Sequence, residues 1–487
     1  MMKIKKIIKK YFELPLGVKA TLWFLICNLL EKGISIFTTP IFTRLLNTNE
    51  YGEFNIFNSW VSLLTIFISL NLYSGVYSQG LVKNSENKEE YASSLQGLSF
   101  TLAIIWGVIF FILRDTISNF LRISYFQLFM LLIIIWTNSS FNFWATKKRV
   151  DLDYKKIIFL TMIIIILKPI LGILFVIKLQ NKVNARILSI VVINLIFYSL
   201  LFISQIREGK KFYIKKYWVS ALKFNIPLIP HYLSGTILSV SDRIMIGRMI
   251  GEDKAGIYSL AYSLSMIMVI FNSVIFQTLE PWLYKKLKEN QTGEFSKIMY
   301  PSLIGIAILN LIVIGFAPEI IKIFAPKEYY EAVWIIPPVA MSVYFMFSYT
   351  FFAVFEFYYE KPKYIAFATA FAAILNIVLN YIGIKKFGYL AAGYATLICY
   401  IIYSGMHYFF MRKICKNFLK NIKVYDLRKL MIISGIFINT ALIFLSSYNN
   451  IILRYIFILL LFGINLFNIK KIKKYIYELI YMKKNKK

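Results

Sequence analysis

Residues 157–177 read "IIFLTMIIIILKPILGILFVI", an apolar run interrupted by one charge, Lys168. As an α-helix rising 1.5 Å per residue, the run is about 31 Å long, matching a bilayer hydrocarbon core of roughly 30 Å. One such run can be the central helix of a soluble domain, but this chain has fourteen. Their approximate limits are 16–38, 54–76, 92–113, 125–146, 157–179, 184–206, 224–250, 255–283, 297–316, 332–357, 364–384, 388–410, 428–447 and 451–470. The seventh is the most polar and contains Pro227 and Pro230. The 487 residues are 59% hydrophobic and 16% charged, against roughly 45–50% and 25% in soluble domains. In lipid every backbone N–H and C=O must be bonded within the protein, and runs of this length then have to be helices. The expected fold class is an all-α polytopic membrane protein with about fourteen transmembrane helices.

The 56 Lys and Arg against 24 Asp and Glu give a net charge of +32. In a soluble protein that balance would point to nucleic acid. The distribution points to topology instead. With the N-terminus inside and the runs alternating, roughly 40 of the 56 cations fall in inner loops and tails and roughly 13 in outer ones. Inner clusters include "KKRVDLDYKK", "REGKKFYIKK" and "MRKICKNFLKNIK". Nucleic acid is therefore not an expected partner, and both termini are expected in the cytoplasm. The tail "KIKKYIYELIYMKKNKK" reads as a basic amphipathic helix along the inner leaflet. The N-terminal apolar run is long and has no small-residue cleavage site after it, so it reads as a retained first span. No loop exceeds about 20 residues, which leaves no room for a soluble catalytic domain or a large outer loop.

Cys27, Cys399 and Cys415 show no paired spacing, and His231 and His407 stand apart from other metal-ligand residues. Neither a disulfide framework nor a zinc site follows. His231 is expected to be a satisfied polar residue of the interior. Asp151 and Asp153 form a D-x-D, but among Lys and Arg in a short inner loop they read as solvated charge. No phosphate-cradling glycine loop occurs, so ATP is not expected to drive the protein directly. No catalytic residue, metal or cofactor is expected. The aromatic run "VYFMFSYTFFAVFEFYY" in the tenth span offers faces for sugars, for lipid or for packing.

Two segments match at a spacing of 204 residues without a gap. Arg44 aligns with Arg248, Leu45 with Met249, Leu46 with Ile250, Gly52 with Gly256 and Phe54 with Tyr258. Each copy joins the first and second span of a six-span half. Six is even, so the copies share one orientation, as in transporter repeats related by an axis along the membrane normal. The expected organisation is an N-terminal six-helix bundle at 1–215, a second at 216–425, and two further helices with a basic tail at 426–487. The shared Gly permits a tight turn or a close helix approach. Arg44 and Arg248, at the outer ends of their spans, suit either interfacial anchoring or a cationic ring at an outer mouth.

Charges within spans cost at least about 2.5–3.5 kcal/mol each at the bilayer centre, so they face a cavity or a partner. Lys168 lies about 16 Å from either end of its span, beyond the reach of a Lys stem. It either lines a cavity or pairs with an acid such as Glu31. In the first span Asn28, Lys32, Ser35 and Thr39 share one helical face. In the seventh, His231, Ser234, Ser241 and Asp242 form a similar stripe. Asp242 and Arg243 are adjacent and do not share a face, so each needs its own partner. For Asp242 the candidates are a cation such as Lys32 or Lys168, or a coupling proton or sodium ion. Glu280 and Glu356 lie near inner ends beside Lys285, Lys286 and Lys361, as a gate or as interfacial pairs.

The segment "GISIFTTPIFTRLLNTNEYGEFNIF" resembles the opening of the polysaccharide transporter family, the bacterial lipid-linked oligosaccharide flippases for O-antigen or capsule repeat units. The segment "NIPLIPHYLSGTILSVSDRIMIGRMIGEDKAGIYSLAYSL" is similar to that family's mid-chain signature. The superfamily also contains multidrug extruders and the lipid II flippase. The resemblance implies transport by alternating access, with no bond made or broken. It implies undecaprenyl-pyrophosphate-linked oligosaccharide as cargo in the bacterial cytoplasmic membrane. Membrane lipids, a polysaccharide polymerase and glycosyltransferases would be partners. Lys32, Arg44, Lys168, Arg243 and Arg248 are then the expected cations of the substrate cleft. Glu31, Asp242, Glu280 and Glu356 are left to coupling, to a proton or sodium gradient, or to structural pairing. A drug-extruding cation antiporter and a membrane polysaccharide polymerase or ligase remain alternatives. The first favours an acidic cavity, and the second resembles chains with a large outer loop.

Overall fold

The computed structural model describes residues 16–467, and no strand occurs among them. Fourteen long helices follow one another. They are α1 (Leu16–Leu45), α2 (Thr48–Ser69), α3 (Lys88–Ile112), α4 (Tyr125–Val150), α5 (Tyr154–Lys178), α6 (Lys182–Gly209) and α7 (Ile229–Met249). Then come α8 (Glu252–Lys288), α9 (Phe295–Gly315), α10 (Ile336–Tyr358), α11 (Pro362–Phe387), α12 (Ala391–Phe418), α13 (Leu427–Ser446) and α14 (Ile451–Phe467). Among the described residues, nine helices are long and apolar enough to cross a membrane: α3 to α6, α8 to α11, and α13. With the other five the array is compatible with fourteen spans. The chain is a multi-pass, all-α membrane protein. The side chains of Asn28, Glu31 and Lys32 and the basic tail of residues 471–487 lie outside the described residues.

Local chemistry sets the helix ends. Asn47 caps α2 through a reciprocal box: its Oδ1 accepts from the Glu50 N–H at 2.8 Å, and its own N–H donates to Glu50 Oε2 at 2.9 Å. Ser124 and Gln127 build the same box at the start of α4. The repeat's shared glycines, Gly52 and Gly256, lie buried within the first turns of α2 and α8, so neither makes a turn. The turn before α8 is made by Gly251, at φ 159°. It stands 204 residues after Asn47.

The described residues form two compact units, divided between Val240 and Ser241. In the first, α6 packs on α2, α3, α4 and α5, and α5 packs on α1. Backbone comes close where α3 starts. A Cβ on Gly97 would meet the Phe212 carbonyl, and one on Gly209 would meet the Glu89 carbonyl. Such small residues allow helices to approach without a hydrophobic drive between them. The D-x-D loop is an ion-pair cluster: Asp151 pairs with Lys88, and Asp153 with Lys148 at 3.5 Å and Lys156 at 3.4 Å.

In the second unit α10 is central and packs on α8, α9, α12 and α13. Its most apolar window is 83% buried, so the aromatic run serves internal packing rather than a lipid-facing surface. Tyr344 lies 4.6 Å from Phe437, and Phe347 lies 5.3 Å from Phe351, edge on. By contrast α3 exposes Ile104, Val108 and Phe111, and α11 exposes Phe367, Phe371 and Ile374. Apolar rows of this kind are stable against hydrocarbon, not against water.

Candidate functional site

The most enclosed charge near the repeat motif is Asp242, at 1% exposure on α7. Three neutral donors from three helices cage it. The Tyr258 hydroxyl of α8 donates to Oδ2 at 2.6 Å, and the Thr396 hydroxyl of α12 donates to the same oxygen at 2.8 Å. The Asn380 amide of α11 donates to Oδ1 at 2.5 Å. Asn376, one turn before Asn380, accepts from Asn380 at 3.0 Å and from the Ser241 hydroxyl at 2.7 Å. Such a cage stabilises a carboxylate in a low-dielectric interior, where an unpaired one would be very costly. The neighbouring Arg243 instead holds its guanidinium 4.2 Å over the Tyr262 ring. Adjacent residues on a helix point apart, and the two charges take different partners accordingly.

A second buried acid was not legible as such. Glu356 on α10 and His407 on α12 are both fully buried, with Oε1 2.7 Å from Nδ1. The Tyr349 ring stacks on the imidazole at 5.3 Å, and Tyr403 meets it edge on at 4.5 Å. Glu356 therefore does not pair with Lys361, whose Nζ lies 5.1 Å from the Phe418 ring. The tenth helix turns its acid inward. Glu280 accepts from Tyr284 at 3.3 Å, while Lys285 and Lys286 engage Glu289, and Lys286 also engages Glu294.

In the first unit Lys168 places its Nζ 5.1 Å from the Tyr198 ring of α6. Arg44 is exposed at the end of α1 and donates to the Pro40 carbonyl at 2.7 Å. Arg248 lies in the last turn of α7, half-buried. His231 is exposed rather than interior, because it sits at the start of α7, in the Pro-containing segment that enters the helix. Arg186 was not among the expected cations of the cleft. It lies on α6 with its guanidinium 3.8 Å over the Phe42 ring. Among the described residues, no group of three or more His, Cys, Asp or Glu could hold a metal ion. The three cysteines are buried.

Known proteins share this architecture. The chain matches the family described as polysaccharide biosynthesis protein over residues 18–287. It is 25% identical to an uncharacterised membrane protein of Haemophilus influenzae, over 74% of this chain and 88% of that one. It is 23% identical to the probable low-salt glycan biosynthesis flippase Agl15 of Haloferax volcanii, over 36% of this chain and 38% of that one. Among solved structures, the lipid II flippase MurJ in an inward closed conformation superposes with a TM-score of 0.65 at 14% identity, covering 93% of this chain and all of that one. An inward-facing multidrug resistance transporter of the MATE family superposes with a TM-score of 0.62 at 11% identity, covering 80% and 96%.

Proposed function

We propose that this chain, which belongs to the polysaccharide biosynthesis protein family, is a flippase that carries lipid-linked oligosaccharide repeat units across the bacterial cytoplasmic membrane by alternating access. The observation that carries the proposal is the family match, which spans more than half of the chain. The cargo is an undecaprenyl-pyrophosphate-linked oligosaccharide, and the product feeds surface polysaccharide such as O-antigen or capsule. The chain performs no covalent chemistry. It takes its substrate from glycosyltransferases and hands it to a polymerase. Both termini face the cytoplasm, and the two six-helix bundles of 1–215 and 216–425 are the moving parts, with 426–487 as an extension.

A pyrophosphate head cannot enter hydrocarbon with its charge bare. Cations along the path replace its hydration, and Lys32, Arg44, Lys168, Arg243 and Arg248 are assigned that role. The stance of Lys168 and Arg243 supports it, since each presents its charge over an aromatic face. Glu31, Asp242, Glu280 and Glu356 are assigned to coupling, through a proton or a sodium gradient, or to structural pairing. An extruder of cationic drugs would present acids to its cargo. Here the enclosed Asp242 is spent on a hydrogen-bond cage.

The test is deletion in the host, with lipid-linked repeat units measured on each side of the membrane and drug sensitivity measured alongside. Accumulation on the cytoplasmic side with loss of surface polysaccharide is the expected result. Intact polysaccharide with new drug sensitivity would make the protein an extruder. Outer-leaflet units that never polymerise would make it a polymerase or ligase. Transport unchanged in both Lys168→Ala and Asp242→Ala at normal expression would overturn the site assignment.

A further inference from the structure

A cavity of about 120 Å³ opens in the first unit beside Arg186. Phe42, Phe54, Thr38, Thr39 and Tyr51 line it with Arg186. The guanidinium carbon lies 3.8 Å from the Phe42 ring centre and 5.6 Å from that of Phe54, and the group donates one long hydrogen bond of 3.3 Å to the Lys168 carbonyl. Among the described residues no carboxylate pairs with Arg186. A guanidinium has five N–H donors in a fixed fork, and one backbone carbonyl leaves most of them uncommitted. Gly172 makes the pose possible, because a Cβ there would collide with Arg186 Nη1.

The repeat gives this cavity a counterpart. At the 204-residue spacing Thr38 stands where Asp242 stands, and Phe54 where Tyr258 stands. Arg186 is the fifth residue of α6, and Thr396 the sixth of α12. The second unit thus has an acid where the first has Thr38, and a phenol where the first has Phe54. Arg186 has no charged counterpart, since Leu390 stands 204 residues on.

We propose that the Arg186 cavity is a binding site for a phosphate-class oxyanion. The fork of Arg186 matches two oxygens, and the Thr38 and Thr39 hydroxyls offer donors to a third, which a tetrahedral phosphate has and a carboxylate lacks. The volume is several times what a water needs and below the roughly 300–1,000 Å³ of a drug-sized pocket. It takes a headgroup phosphate or a small free anion, not a sugar chain. The site stands whatever the chain transports.

The test uses the purified full chain in detergent, titrated with inorganic phosphate and separately with short-chain phosphatidate, with phosphatidylcholine as the uncharged-headgroup control. Saturable binding of either phosphate probe is expected, weakened at least tenfold in Arg186→Gln and in Gly172→Ala. The second variant displaces the guanidinium without removing it, and the atoms nearest its methyl are side-chain atoms of Arg186 and Phe42. It decides the matter if Arg186→Gln does not fold. Binding of phosphatidate alone identifies a lipid headgroup as the ligand, and binding of inorganic phosphate identifies a free anion. Binding of neither probe, or equal binding to wild type and Gly172→Ala, overturns the proposal.

Discussion

Removing donors from the Asp242 cage gives a graded and non-additive loss of stability. Tyr258→Phe deletes one hydroxyl and keeps the ring, and Thr396→Val is nearly isosteric. Each removes one donor from the same oxygen, Oδ2. A hydrogen bond to a charged group contributes about 1.5–3 kcal/mol, and one to a neutral group about 0.5–1.5 kcal/mol. Each single variant should lose an amount in the first range if the carboxylate is ionised and in the second if it carries a proton. The double variant leaves a fully enclosed oxygen with no donor. Its loss should exceed the sum of the singles by about 0.5–3 kcal/mol, because the remaining donor compensates in each single variant. Asn380→Leu acts on the other oxygen of the same carboxylate, so its loss should couple to either single as well. The assay is unfolding in mixed micelles of rising SDS content, read by tryptophan fluorescence. Singles within 0.5 kcal/mol of wild type, or an additive double, would refute the cage.

Two further outcomes follow from ionisable partners elsewhere. Breaking the buried Glu356–His407 pair by His407→Leu should cost about 3–5 kcal/mol, whereas Glu356→Leu with His407→Leu should recover much of that, and thermal midpoints of the three proteins check it. At the start of α8, the hydrogen bond from Lys254, with a second from Tyr389, holds the Glu331 carboxyl below its usual range. Its contribution is then present above the ordinary Glu value of about 4.3 and fades as pH falls through the lowered folded value. With the Glu331 side chain 55% exposed, solvent screening keeps the effect within about 1 kcal/mol. The midpoint difference between wild type and Glu331→Gln should be constant from pH 8 to about pH 5.5 and shrink in stronger acid.

Helix number and order were legible because length and apolarity act locally: a run of twenty apolar residues needs no distant partner to be a span. Partners are a different matter. Asp242 was visible as an enclosed charge, but its donors lie 16, 138 and 154 positions away, and only packing brings them together. A signal existed in "ILNIVLNYIG", where Asn376 and Asn380 recur one turn apart in an apolar run. Glu356 misled for the same reason. It is near Lys361 in sequence, yet α10 is buried on nearly all sides and turns its acid toward α12. Arg186 was hidden by its place near a span's end, where an Arg ordinarily reaches water.

The repeat matches Thr38 with Asp242 and Phe54 with Tyr258, so it keeps positions and not chemistry. The sequence pattern shared by residues 204 apart fixes their spacing. It does not fix their charge, because any group satisfied within its own unit is tolerated. Tyr258 satisfies Asp242, and Phe54, which has no hydroxyl to offer an acid, faces Arg186. Exchanging one partner alone therefore has different consequences on the two sides. Tyr258→Phe strips a donor from a buried acid, and Phe54→Tyr places a hydroxyl in the space open to Arg186. The second change should preserve stability, because a phenol oxygen beside a guanidinium is an acceptor it can use, while weakening the binding of any phosphate the cavity takes. Lost stability in Phe54→Tyr would show that the cavity is too tight for a hydroxyl and thus for an anion.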